Sequence, residues 1–312
     1  MGGRPSYALI ADGKVVVTVL TGGNTGPSEL IALDQTSGTK VWGPINIPDG
    51  ANAAYDGGKV FVLGSQDTSA VLQSYDIESG KLDWTTTING SWAPIALNGL
   101  IFIDGNLAVS EATGTIVWNQ SAFEGLTVPA VTGSGVYSSY SCAMYAFKQL
   151  TGTPIVATTP ACNSSVGGVT VVANGLVYTP YGPILNATTG KMVGSFTSAN
   201  IAPAVTSTAA YVLNSGVLSA LSLTGDNKLW SFTGDGSLTT APIIVNQSVI
   251  VGSSKGNVYA LDATTGVQLW SANAGGSISN GATLPLSGLS AGDGLLIVPA
   301  GNNVVAYRLS AQ

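Results

Sequence analysis

The stretch Leu261-Asp262-Ala263-Thr264-Thr265-Gly266-Val267-Gln268-Leu269-Trp270 decides the fold, because it recurs along the chain. Leu33-Asp34-Gln35-Thr36-Ser37-Gly38 leads to Trp42, and Tyr75-Asp76-Ile77-Glu78-Ser79-Gly80 leads to Trp84. Val109-Ser110-Glu111-Ala112-Thr113-Gly114 leads, as a weaker copy, to Trp118. Leu221 to Trp230 has the same length, but its glycine, Gly225, comes one place early. Two copies lack the Trp: Phe147 to Gly152 ends at Val156, and Leu185 to Gly190 ends at Gly194. A final partial copy, Val304-Val305-Ala306-Tyr307-Arg308-Leu309, stops before any turn or Trp.

Upstream of each copy stands a glycine or polar turn followed by a β-branched run, as in Gly58-Lys59-Val60-Phe61-Val62. A proline often opens the unit, as at Pro94, Pro129, Pro203, Pro242 and Pro285. The units recur at about 40 residues, a period typical of propeller blades. Each unit reads as four short strands; in the seventh they fall at 242–245, 248–252, 257–261 and 268–271. The turn between the last two is encoded by Asp262, which can accept amide hydrogen bonds, and Gly266, which takes positive φ at low cost. No apolar stretch at helical period interrupts the series. The expectation is an all-β chain, an eight-bladed β-propeller of four-stranded antiparallel blades, forming a single domain over 1–312. The last blade is expected to be three-stranded; a ring of six or seven irregular blades is the competing reading. Trp42, Trp84, Trp118, Trp230 and Trp270 are expected to fill the gaps between blades.

Composition narrows the chemistry. The chain has 312 residues, no His, and only 8% charged residues, with a formal charge of -6; an average soluble domain has about 25% charged residues. Without His there is no His–metal site and no imidazole base. Ten Lys plus Arg on an acidic chain argue against nucleic-acid binding and against a polybasic membrane-surface role. No apolar stretch is long enough to span a membrane as a helix. Residues 1–5 are too short for a signal peptide; a secreted form would have lost its signal. The use of Ser, Thr, Asn and Gly in place of Lys and Glu leans toward an extracytoplasmic setting: secreted, periplasmic or cell-surface. An acidic medium, where carboxylates lose their charge, is one cause of that usage. A sharp loss of fold at about pH 3 would count against it.

The pattern Ala-Leu-Asp-Ala-x-Thr-Gly-x-x-x-Trp resembles the tryptophan-docking repeat of the PQQ-like β-propellers, over essentially the whole chain. That family includes quinoprotein alcohol dehydrogenases, an outer-membrane assembly lipoprotein, and sensor and scaffold domains. The repeat therefore implies the fold and not an activity. Alcohol-type members hold the quinone against a disulfide of adjacent cysteines and bind a metal through Glu, Asn and Asp. Here the two cysteines, Cys142 and Cys162, are twenty places apart, and several acids (Asp34, Asp76, Glu78, Asp262) fall in turns away from the cofactor face. No residue set carries the family's catalytic site, so neither PQQ nor Ca²⁺ is expected, and no catalytic or metal residue is assigned.

In propellers the D–A and B–C connections share one face around the central channel. This sequence places Asp49, Asn89, Trp92, Glu124 and Asp235 in D–A connections, and Tyr140 and Tyr181 in B–C connections. Amides, hydroxyls and aromatics suit neutral polar ligands, glycans or peptide backbone. Trp92 stands outside the repeat position; it is either an aromatic platform at the channel mouth or a plug packed against neighbouring loops. The acids come from different blades, so a shared Ca²⁺ site has no motif to support it. Cys142 opens strand C of the fourth unit and Cys162 follows its strand D. A disulfide there would tie down a blade that lacks its Trp and would fit an oxidising compartment. Asn-x-Ser/Thr sequons at Asn89, Asn119, Asn163, Asn186 and Asn246 permit glycosylation.

The expected function is a non-catalytic extracytoplasmic scaffold that binds protein or glycan partners through this loop face. The alternatives are a PQQ-dependent oxidoreductase and a structural subunit that self-assembles through the open edge of the eighth blade, where a partner strand could add.

Overall fold

The computed structural model describes residues 2–22, 26–91, 93–123, 128–140, 143–157, 168–179, 182–196, 201–225, 227–278 and 288–308. Among them every regular element is a β-strand. Seven sheets have four strands in sequential antiparallel order, and the eighth has three. The chain is an eight-bladed β-propeller, and strands are named A to D from the channel outward.

The seventh blade follows the repeat closely. Its strands are Ile243–Val245, Ser248–Gly252, Asn257–Asp262 and Gln268–Asn273. In its C–D turn, Asp262 Oδ1 accepts from the amides of Thr264 and Thr265 at 3.1 and 2.7 Å and from the Thr265 hydroxyl at 2.8 Å. The Gly266 amide then donates to Asp262 O at 2.8 Å, with Gly266 at φ 73°. Asp34, Asp76 and Asn186 cap their own turns in the same way. Gly38, Gly80, Gly114, Gly152 and Gly190 all have φ between 64° and 70°, so the repeated glycine answers a left-handed backbone position.

Two boundaries differ from the sequence reading. Asp49 is not in a loop: it begins strand A of blade 2 (Asp49–Asp56), opposite Ser65. Only Pro48 separates it from strand D of blade 1 (Lys40–Ile47); a residue with no N–H interrupts the ladder with minimal length. Tyr140 likewise ends strand B of blade 4 (Gly135–Tyr140), so ladder pairing extends further than the turn residues indicated.

The core lies between the blades. Eight clusters of buried apolar side chains each join two neighbours in the ring, from Trp42 with Val60 and Ile77 across blades 1 and 2 to Ala8 with Leu295 and Ile297 across blades 8 and 1. Radial closure therefore buries both faces of every sheet. The repeat indoles are the spacers. Each stands opposite a small residue of its strand C: Ala32, Ser74, Ala108, Ala220 or Ala260. Four of them donate N–H to the next blade's C–D turn: Trp42 to Ile77 O at 2.8 Å, Trp84 to Glu111 O at 3.0 Å, Trp118 to Gln149 O at 2.6 Å and Trp230 to Ala263 O at 3.1 Å. The acceptor is always the residue after the Asp position. The turn glycine lies flat under the ring: a Cβ at Gly80, Gly114, Gly152 or Gly266 would fall 2.6 to 2.8 Å from an indole atom. Trp270 occupies the equivalent place in blade 7, edge-on to Tyr307 of blade 8 at 5.1 Å between centroids, and is 36% exposed.

Candidate functional site

The A strands wall the central channel, and their sequences set its chemistry. Leu9 and Ile10 of blade 1, Tyr55 of blade 2, Ile243 and Ile244 of blade 7 and Ser290 of blade 8 line a cavity of about 430 Å³. Tyr55 is the only titratable side chain among the described residues of that lining. Its hydroxyl donates to Asp12 Oδ2 at 2.7 Å and accepts from the Gly58 amide at 3.2 Å. Burial, reinforced by the hydrogen bond to Asp12, pushes the phenol pKa up. The described lining brings no set of convergent acids and bases to this cavity.

The loop face around the channel mouth is polar, and much of its polarity is spent internally. Asp235 Oδ2 accepts from the Ser253 hydroxyl at 2.7 Å and the Asn257 amide at 2.6 Å, and Oδ1 accepts from the Ser237 amide at 3.0 Å. Lys255 Nζ donates to Asp235 O at 2.9 Å. Partial burial would raise the Asp235 pKa, but these hydrogen bonds outweigh it and hold the carboxyl below the usual range. Asp235 thus ties together the loops of blade 7. Asp104 is buried, at φ 54°, and accepts from the Ser91 amide at 3.1 Å, fixing the loop that carries Asn89 and leads to Trp92. Asn89 and Asp49 are exposed on this face. Trp92, Glu124 and Tyr181 lie outside the described residues, as do Cys142 and Cys162 with the disulfide expected between them; of Tyr140 only the backbone is described.

Two features escaped the sequence reading. On the opposite face, Glu111 of blade 3 has a buried Oε1 with no hydrogen-bond partner among the described residues. Burial, then the nearby Asp56 carboxylate of blade 2, pushes its pKa up to about 7. Nearby, Lys14 of blade 1, itself 7% exposed, reaches Glu78 of blade 2 at 2.6 Å. Both pairs join residues of different blades, and no local spacing announces them.

Among the described residues no three His, Cys, Asp or Glu side chains come together as a metal site.

Comparison with known proteins agrees with the architecture. The BamB crystal structure from Moraxella catarrhalis superposes with a TM-score of 0.73 at 17% identity, covering 96% of this chain and 92% of that one. Quinohemoprotein alcohol dehydrogenase from Comamonas testosteroni superposes at 0.66 with 15% identity, covering 95% of this chain but 70% of the enzyme. At such identities these likenesses show the fold alone. In sequence, tetrathionate hydrolase of Acidithiobacillus ferrooxidans is 27% identical over 164 residues, half of this chain but only 30% of that protein's length. With its blade repeat matching the outer membrane protein assembly factor BamB family over residues 26–107 and 183–311, the chain belongs to that PQQ-type propeller family.

Proposed function

We propose that the chain is a non-catalytic, extracytoplasmic scaffold whose D–A and B–C face binds protein or glycan partners. The observation that carries this reading is the cavity along the A strands, where Tyr55 is the one titratable side chain among the described lining residues, beside a loop face on which Asp235 and Asp104 are already hydrogen-bonded within the chain. Such a surface offers hydrogen bonds and stacking area, not acid–base chemistry. Family membership supports an assembly-type role.

The test has two arms. Asn89→Ala and Trp92→Ala, with unchanged circular dichroism and melting, are expected to weaken binding to partners identified by cross-linking or glycan array. Incubation with PQQ and Ca²⁺ is expected to give no dye reduction; alcohol-dependent reduction would overturn the reading. The match to tetrathionate hydrolase favours a second reading, an enzyme acting on a small sulfur oxyanion. Consumption of tetrathionate by the purified chain would establish it.

A further inference from the structure

Charge is distributed unevenly around the ring. Twelve of the sixteen acids lie at or before Glu124, in blades 1 to 3 and the connection that follows. From Gly125 to Gly225 the sequence holds no Asp or Glu, and Lys148 and Lys191 are its only charged residues. That stretch builds blade 4, blade 5 and the first three strands of blade 6. The outer rim is apolar instead. Strands D of blades 3, 4 and 5 (Ile116–Asn119, Pro154–Ala157 and Met192–Ser195) carry no charge. Ile116, Val117, Ile155 and Val193 are exposed on them, and Leu150 of the blade 4 turn and Met192 of blade 5 reach 72% and 67% exposure. These side chains stand on blades in direct contact. Trp118 donates to Gln149 O, next to Leu150, and Val156 packs on the cluster that holds Leu185 and Ala187 of blade 5. Blades 1 and 2 differ: Lys40 opens one strand D, and Asp83 in the other is paired with Lys59 at 2.6 Å. Charge on an outer strand guards it against a second chain, and blades 3 to 5 lack that guard. Strand D of blade 7 is also uncharged, but it stands alone between Lys228 of blade 6 and Arg308 of blade 8.

We propose that the outer rim of blades 3 to 5 is an interface for a second copy of this chain, packed rim to rim about a two-fold axis. A two-fold contact sets a patch against itself, so a patch rich in one charge repels its copy and a neutral one does not. Depletion of charge together with exposed aliphatic and Met side chains is the composition of a homodimer interface core. The extent also fits. The C–D turns and D strands of these blades cover 112–119, 148–157 and 186–195, in line with the roughly 20–30 residues that a standard interface uses on each side. Lys148 and Lys191 are exposed beside the patch, but two lysines across these blades are too few to hold an anionic bilayer or a nucleic acid by charge. This face is on the rim, away from the channel mouth, so its test is separate from that of the loop-face reading. It also lies across the ring from the seam of blades 8 and 1.

Sedimentation velocity and light scattering on the purified chain, over a range of concentrations, test this. The expected result is a monomer–dimer equilibrium. Leu150→Glu and Met192→Glu, at positions exposed enough to leave folding intact by circular dichroism and melting, should each weaken the dimer by about tenfold or more, because each sets a charge against an apolar copy. Leu269→Glu, the same change at an exposed position of blade 7, should leave the dimer unchanged. A chain that stays monomeric at every concentration overturns the proposal. So does a dimer indifferent to Leu150→Glu and Met192→Glu, or one weakened equally by Leu269→Glu. Co-sedimentation of a monomer with phosphatidylserine–phosphatidylcholine vesicles, lost when Lys148→Ala and Lys191→Ala are combined, would overturn it in favour of a membrane surface.

Discussion

The seam between blades 3 and 4 and the seam between blades 5 and 6 solve one geometric problem with different parts. In the first, Trp118 fills the gap, lies 6.2 and 6.0 Å from Phe102 and Phe147 between centroids, and donates to Gln149 O. In the second the repeat position is Gly194, and the backbones close the gap themselves. The Ser195 amide donates to Thr224 O of the next turn at 3.1 Å, and any Cβ on Gly194 would collide with Thr224. The carbonyl that an indole would have reached, Leu223 O, accepts instead from the Tyr178 hydroxyl at 2.9 Å. Common to these two seams is the acceptor carbonyl and the spacing it demands. The indole is one way to meet it. Seam 6 to 7 uses both, with Tyr211 and Trp230 converging on Ala263 O at 2.9 and 3.1 Å.

Breaking the indole seam has the largest expected effect. Trp118→Ala should cost about 3–5 kcal/mol in urea unfolding, since Trp118 is 7% exposed and its loss leaves a cavity against close-packed neighbours. Gly194→Trp sharpens the contrast. Although it restores the repeat residue, it should destabilise by about 1–3 kcal/mol, because the seam has already closed without it; a stabilised variant would show that the two seams are interchangeable. Tyr178→Phe should cost about 1 kcal/mol through the lost hydrogen bond and the carbonyl left behind, with little change in the denaturant slope. At the seam of blades 2 and 3, Glu111→Gln tests an electrostatic difference of similar size. Its folded pKa of about 7 is raised, so its stabilising contribution is full below the unfolded value and is lost as pH rises through about 7. The variant should therefore melt higher than the parent at pH 8, by about 1 kcal/mol after allowance for solvent screening, and the gap should vanish near pH 4. The turn aspartates Asp34, Asp76 and Asp262 act in the opposite sense. Hydrogen bonds from Ser37, Ser79 and Thr265 lower their pKa values, so their contribution is lost as pH falls through the lowered values.

The blades were legible because each turn is written within six consecutive residues. Asp262 to Gly266 names the capping carboxylate, the hydroxyl that joins it and the left-handed position in one phrase, and Asp34, Asp76 and Asn186 repeat it. Strand ends were less legible: Asp49 and Tyr140 look like loop residues by type, and ladder pairing absorbs them. The candidate site was legible only as an inventory. Nothing in the sequence neighbours of Asp235 shows that Ser253, Asn257 and Ser237 use up its carboxylate. The cavity lining was equally hidden, since Leu9, Ile244 and Ala291 come from strands whose inward positions mean nothing until the ring closes.

By itself, then, the sequence determines the eight-fold repeat, the turn chemistry, the small-residue and indole positions, and the exclusion of imidazole chemistry. These are local rules, settled by residues that are neighbours in the chain. Only the tertiary structure decides which carbonyl an indole meets, that Gly194 must stay small, and that Glu111 faces Asp56. Those facts depend on side chains from adjacent blades, brought into contact by ring closure and by the burial of apolar faces between sheets. A repeat can specify each blade, but the fit between two blades belongs to both.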